Sequence, residues 1–123
     1  MKLLLVDDSA TMRKIQRNVL VKLGYTDILE AEDGISALVK LENTQVELVL
    51  LDWNMPNMDG LTLLKAVRER GMDVPIIMVT TEAEKERVLM ALQSGANSYV
   101  IKPFTAELLT KRINEVIQKT AAV

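Results

Sequence analysis

Asp7 and Asp8 are adjacent acids that follow the apolar run Leu3 to Val6 without a break. Two full charges ~5 Å apart at an effective dielectric near 20 oppose each other by about 3 kcal/mol. A third acid, Asp52, ends another apolar run, and Thr80 and Lys102 end two more. Carboxylates that converge on one pocket need a cation, and an all-oxygen ligand set selects a hard ion such as magnesium. An ammonium and a hydroxyl beside the same carboxylate would cradle an anion attached to it. Phosphoryl transfer calls for this combination, because its transition state spreads negative charge over three oxygens that must be held and neutralised.

Composition narrows the chemistry further. The 123 residues include no cysteine, which excludes disulfides, thiol catalysis and cysteine-ligated zinc. They include no histidine, which removes the usual general base, the usual transition-metal ligand and any internal phosphohistidine. A formal net charge of -2 argues against a nucleic-acid surface. No stretch approaches the roughly 20 apolar residues that span a membrane, and the apolar start has no cleavage site. The chain is therefore expected to be one soluble, cytoplasmic domain over residues 1–123, with neither nucleic acid nor membrane as a partner.

Five short runs must position these side chains. Lys2 to Val6, Val46 to Leu51, Pro75 to Val79 and Ser98 to Ile101 are near-continuous in Leu, Val and Ile, as strands buried on both faces are, and Asp27 to Ala31 is a weaker fifth. Between them lie helical spacings: Met12, Ile15, Val19, Leu20, Leu23; Ile35, Leu38, Leu41; Leu61, Leu64, Val67; Val88, Leu89, Leu92; and Leu108, Leu109, Ile113, Val116, Ile117. Gly24, Gly71 and Gly95 mark helix ends, while Asp33, Asp59, Thr81 and Thr105 mark starts, with Glu84 completing a capping box on Thr81.

The βα unit repeated five times predicts an α/β fold, a doubly wound parallel sheet in the order 2-1-3-4-5 with five helices. Ligands of such sheets bind outside the carboxyl ends of the strands, here between strands 1 and 3. Singly, each acid is an ordinary cap or turn residue, Thr80 an ordinary cap and Lys102 a solvated lysine. Together, however, all of them fall on the ligand face, which points to function. Met55, Met58, Met78 and Met90 are expected to be adaptable packing.

Four motifs stand in order at the strand ends: DDS at 7–9, DWNMPNMDG at 52–60, VTTEAEKE at 79–86 and SYVIKPF at 98–104. Over essentially the whole chain the sequence resembles the response-regulator receiver family, which is flavodoxin-like. The resemblance implies that Asp52 accepts a phosphoryl group from a phosphohistidine on a histidine kinase. It implies magnesium held by Asp8, Asp52 and the backbone carbonyl of Asn54, with Asp7 acting through water. Thr80 and Lys102 would bind the phosphoryl oxygens, and a cis Lys102–Pro103 bond would aim the lysine. Tyr99 matches the family's switch aromatic, coupled to Thr80, although a strand-edge aromatic that merely covers the core would occupy the same position. Asn54 and Glu82 look like the chemotaxis pattern and imply quick phosphoryl turnover; Thr81 departs from the commonest choice at its position.

The implied activity is signalling rather than classical enzymology: a phosphoacceptor that assists its own phosphorylation and dephosphorylation. The expected molecule is a monomeric, diffusible chemotaxis regulator that binds the flagellar motor switch when phosphorylated and is served by a kinase and a phosphatase. Only Thr120 to Val123 follow the last helical pattern, so output through protein contact is expected. A stand-alone receiver or phosphorelay shuttle would share the chemistry with a different client. A haloacid-dehalogenase-type phosphohydrolase would want an acid where Asn54 stands, and a cap domain.

Overall fold

The apolar runs form β1 (Lys2–Val6), β2 (Asp27–Ala31), β3 (Leu48–Leu51), β4 (Ile76–Thr80) and β5 (Ser98–Ile101), paired in parallel in the order β2-β1-β3-β4-β5. The computed structural model describes residues 1–81 and 85–121, the side chains of 120 and 121 excepted. The helices are α1 (Ala10–Lys22), α2 (Gly34–Asn43), α3 (Gly60–Glu69), α4 (Lys85–Gln93) and α5 (Ala106–Ala121).

Why the strands lack polar alternation is visible in what each face touches. Leu4, Val6, Val49, Leu51, Ile76 and Met78 pack against Leu63, Leu64 and Val67 of α3 and Ala91 of α4. The intervening residues Leu3, Leu5, Leu48, Leu50, Ile77 and Val79 pack against Leu20 of α1 and Leu109, Ile113 and Val116 of α5. Successive strand residues point to opposite faces, so a sheet covered on both sides needs an apolar residue at every position.

The ends of the elements follow the local chemistry. The side chains of Ser9, Asp33, Asp59 and Thr105 accept the backbone N–H groups of Met12, Ser36, Thr62 and Leu108, which satisfies donors that the first helical turns leave free. Gly24 lies at φ +95° just after α1, a left-handed stop that a side chain would strain. The capping box on Thr81 rests on Glu84, which lies outside the described residues, as does Glu82.

Several expectations shift. Strand β3 begins at Leu48 rather than Val46, although the Glu47 N–H already donates to the Lys2 carbonyl at 2.8 Å. Strand β4 runs one residue later than expected. Pro75 has no N–H for the ladder and only accepts from Val49, whereas Thr80 pairs with Ile101 inside the sheet. Ile15, Ile35, Leu89 and Leu92 are exposed, as is Met90, so Met90 is not core packing. On α1 the buried line runs through Gln16 and Leu20, four residues apart, and Ile15, about 100° round the helix, points to solvent.

Gln16 is 1% exposed and its side-chain carbonyl oxygen has no hydrogen-bond partner among the described residues. An orphaned buried acceptor costs about 1–3 kcal/mol. Gln16→Met, close in volume, is therefore expected to raise the unfolding free energy by about 1 kcal/mol in urea titrations; a loss of stability would show that the amide is satisfied in solution.

Candidate functional site

The register brings the acids together. Val6 pairs with Ala31 on one side and with Leu51 on the other, so β1 and β3 end level and the next residues, Asp7 and Asp52, emerge side by side. Each is still held by the ladder: the Asp52 N–H donates to the Val6 carbonyl at 2.9 Å and the Asp7 N–H to the Ala31 carbonyl at 3.1 Å. One oxygen from each of Asp7, Asp8 and Asp52 lies within 4.8 Å of the others. Asp7 and Asp52 are buried, and Asp8 is exposed beside an open cleft whose walls include Asn54, Met55 and Pro56.

Lys102 crosses from the end of β5 to this cluster. Its Nζ donates to Asp7 Oδ2 at 2.8 Å and lies 3.6 Å from Asp52 Oδ1. Asp7 Oδ1 is taken by the Ser9 N–H at 2.8 Å, so both oxygens of that carboxylate are already engaged. The Lys102 N–H donates to the Thr80 carbonyl at 2.9 Å, which ties the root of the lysine to β4. The bond between Lys102 and Pro103 is cis, as the resemblance implies. Thr80 is fully buried at the end of β4, and Tyr99 is half-buried and packs against the cluster shared by α3 and α4.

The start of α3 presses against the backbone behind Asp52. The Gly60 N–H donates to the Trp53 carbonyl at 2.8 Å, and a Cβ on Gly60 would stand 2.1 Å from the Asp52 carbonyl oxygen. Only glycine lets the helix approach this closely. Trp53 is buried, and the Arg87 guanidinium of α4 sits 5.7 Å from its ring centroid, within cation–π range.

Burial lifts the Asp52 carboxyl above the ordinary aspartate range. Lys102 pulls it down, Asp7 pushes it up again, the Asn54 N–H bonds to the anion, and Asp8 adds a last upward push. An all-carboxylate cluster with one member facing solvent suits a hard divalent cation. The structure thus brings together Asp7, Asp8, Asp52 and Lys102, and sets Thr80 at the neighbouring strand end. The Asn54 side chain is exposed, and its backbone N–H bonds the Asp52 carboxylate.

Arg13 also touches the acidic turn, which its place in the sequence does not announce. Its Nη1 donates to the Asp7 carbonyl at 2.5 Å and its Nε to Glu30 on β2 at 2.8 Å. The signal in the sequence is the spacing of Arg13 and Arg17, four apart and so on one helix face; the structure turns that face to β2.

The response regulator receiver domain family matches residues 3–114, and the chain belongs to that family. It is 50% identical over 120 residues to chemotaxis protein CheY1 of Helicobacter pylori, a span of 95% of this chain and 97% of that one. It is also 50% identical to a chemotaxis protein CheY homolog of Campylobacter jejuni, over 95% of this chain and 92% of that one. Among solved structures, the CheX-CheY-BeF3-Mg2+ complex from Borrelia burgdorferi superposes with a TM-score of 0.92 at 29% identity, covering 95% of this chain and 89% of that one. Vibrio cholerae CheY4 superposes at 0.86 with 36% identity, over 94% and 97% of the two chains.

Because folding raises the carboxyl of Asp52, the folded state binds its proton more tightly than the unfolded chain does. The associated stability is present at low pH and lost as pH rises through the folded value, so the charged carboxylate is a liability near neutrality. In chelator, Asp52→Asn is expected to melt a few degrees above the parent at pH 7, with the gap closing on acidification towards pH 4, as followed by circular dichroism. A gap that widens on acidification would contradict the assignment.

Proposed function

We propose that residues 1–123 act as one diffusible cytoplasmic receiver module, a chemotaxis response regulator switched by phosphorylation of Asp52. The observation that carries this reading is the position of Asp52, buried beside two acids with the Lys102 ammonium, bonded to Asp7, only 3.6 Å away. The chemotaxis setting is supported by the names of the 50% identical relatives.

A carboxylate with an elevated pKa is a more basic nucleophile than a solvated one, provided the pH keeps it ionised. In the proposed transfer an Asp52 carboxylate oxygen attacks the phosphorus of a phosphohistidine on a histidine kinase. The O–P bond forms as the N–P bond breaks, the imidazole leaves with that electron pair and takes a proton from solvent, and Asp52 becomes an acyl phosphate. Asp8, Asp52 and the Asn54 carbonyl, with Asp7 acting through water, would hold magnesium, which would supply positive charge against the phosphoryl oxygens. Engagement of both Asp7 oxygens by protein donors supports the indirect role for that residue.

Lys102 needs only a short swing from Asp7 to reach a phosphoryl oxygen, because its ammonium already lies between the two carboxylates. The Thr80 hydroxyl is the donor on the β4 side. Its inward pull on phosphorylation would favour an inward Tyr99 and reshape the face made by α4, β5 and α5, which receives the flagellar motor switch. The protein is thus a phosphoacceptor that assists its own phosphorylation and its hydrolytic reset, with a phosphatase speeding the latter.

Incubation with a small phosphodonor and magnesium should place label on Asp52 in peptide mass spectrometry. Label elsewhere, or label that survives Asp52→Asn, overturns the mechanism. Lys102→Ala is expected to keep phosphoryl transfer while losing the roughly tenfold gain in affinity for an N-terminal motor-switch peptide that phosphorylation gives the parent. A parent whose peptide affinity does not change on phosphorylation would instead be a receiver with another client.

A further inference from the structure

Asp8 reaches its place through the peptide that follows Asp7, so whatever orients that peptide orients the acidic pair. The Asp7 N–H is spent on the Ala31 carbonyl, but β1 has ended, and among the described residues no strand N–H donates to the Asp7 carbonyl. Arg13, in the first turns of α1, fills the gap: Nη1 donates to the Asp7 carbonyl at 2.5 Å. The guanidinium is anchored in turn, since Nε donates to Glu30 Oε1 at 2.8 Å, and the other Glu30 oxygen accepts from Arg17 Nε at 3.1 Å. Arg17 Nη2 reaches the Ile28 carbonyl of β2 at 3.0 Å. The chain of contacts runs from the acidic turn through α1 to the edge strand.

We propose that Arg13 is a positioning residue for divalent-cation binding: braced by Glu30, it fixes the Asp7 carbonyl and with it the placement of the Asp7–Asp8 carboxylates. The inference rests on the reading that these acids hold a cation. Burial alone would raise the Glu30 carboxyl, but hydrogen bonds and charge from Arg13 and Arg17 hold it below the ordinary range, so the brace stays ionised near neutrality. A bare cation beside a metal site would repel the metal. Here the Glu30 carboxylate at 2.8 Å offsets that charge, which leaves the hydrogen bond as Arg13's main contribution. Groups that orient metal ligands from behind typically contribute 10–100-fold to affinity.

Arg17 provides the control, because it pairs with the same Glu30 and carries the same charge but bonds Ile28 rather than Asp7. Magnesium is titrated into the metal-free proteins near neutral pH, where the carboxylates are ionised, while the emission of Trp53 is recorded. Trp53 is the chain's single tryptophan, buried next to Asp52. Arg13→Met is expected to weaken magnesium about tenfold and Arg17→Met less than about threefold, with Arg13→Lys, which keeps the charge but not the two-armed contact, in between. Melting curves identify any variant that does not fold, and Arg13→Lys then carries the comparison. Equal affinity in Arg13→Met and the parent, tighter binding in Arg13→Met, or equal losses at Arg13 and Arg17 would each overturn the proposal. A parent that binds no magnesium would overturn the cation reading together with it.

Discussion

Three carboxylates held within 4.8 Å of one another are the constraint on which the rest of the molecule turns. Left to themselves they would separate, since each close pair of charges costs on the order of a few kcal/mol. The backbone prevents this. Asp7 and Asp52 continue strands that end level, each secured by an N–H bond to the neighbouring strand, and residues buried on both faces of the sheet leave those strands little room to move. Crowding that would be a defect in an ordinary turn becomes a standing demand for positive charge.

Lys102 partly meets that demand from within, and the geometry explains why it does not meet all of it. One ammonium 2.8 Å from Asp7 and 3.6 Å from Asp52 leaves Asp8 on the open side of the cluster, and the Asp52 carboxyl remains raised despite the lysine. The site is therefore asymmetric: its lysine side is closed by the protein, and its Asp8 side faces solvent. The close approach of α3 through Gly60 and the stacking of Arg87 on Trp53 tie the same short segment to two helices of one layer.

Much of this was legible in the sequence for physical reasons. Buried parallel strands need apolar residues at every position, so Leu3 to Val6 and Val49 to Leu51 declare themselves, and the acid after each run must then sit on the ligand face. The union of Asp7, Asp8, Asp52 and Lys102 follows from that pattern together with the crossover rules that set the strand order, and the helix caps at Asp33, Asp59 and Thr105 from the residue types that cap helices. What was not legible depends on side-chain direction. An apolar stripe does not say which of two successive helical residues faces in, so Ile15 stood for Gln16. A long lysine does not reveal which acid it will choose, and Asp7 proved nearer than Asp52. Arg13 and Glu30 are separated by 17 residues, and only the finished βαβ unit brings them together.

The direct test of a crowded acidic site is its response to the ion it calls for. Magnesium added to the metal-free protein is expected to raise the melting temperature progressively with concentration, because an ion that binds only the folded state stabilises it by mass action. Asp8→Ala should abolish that rise while itself melting no lower than the metal-free parent, since one repelling charge has gone. A parent indifferent to magnesium, or an Asp8→Ala variant with an undiminished rise, would contradict the account.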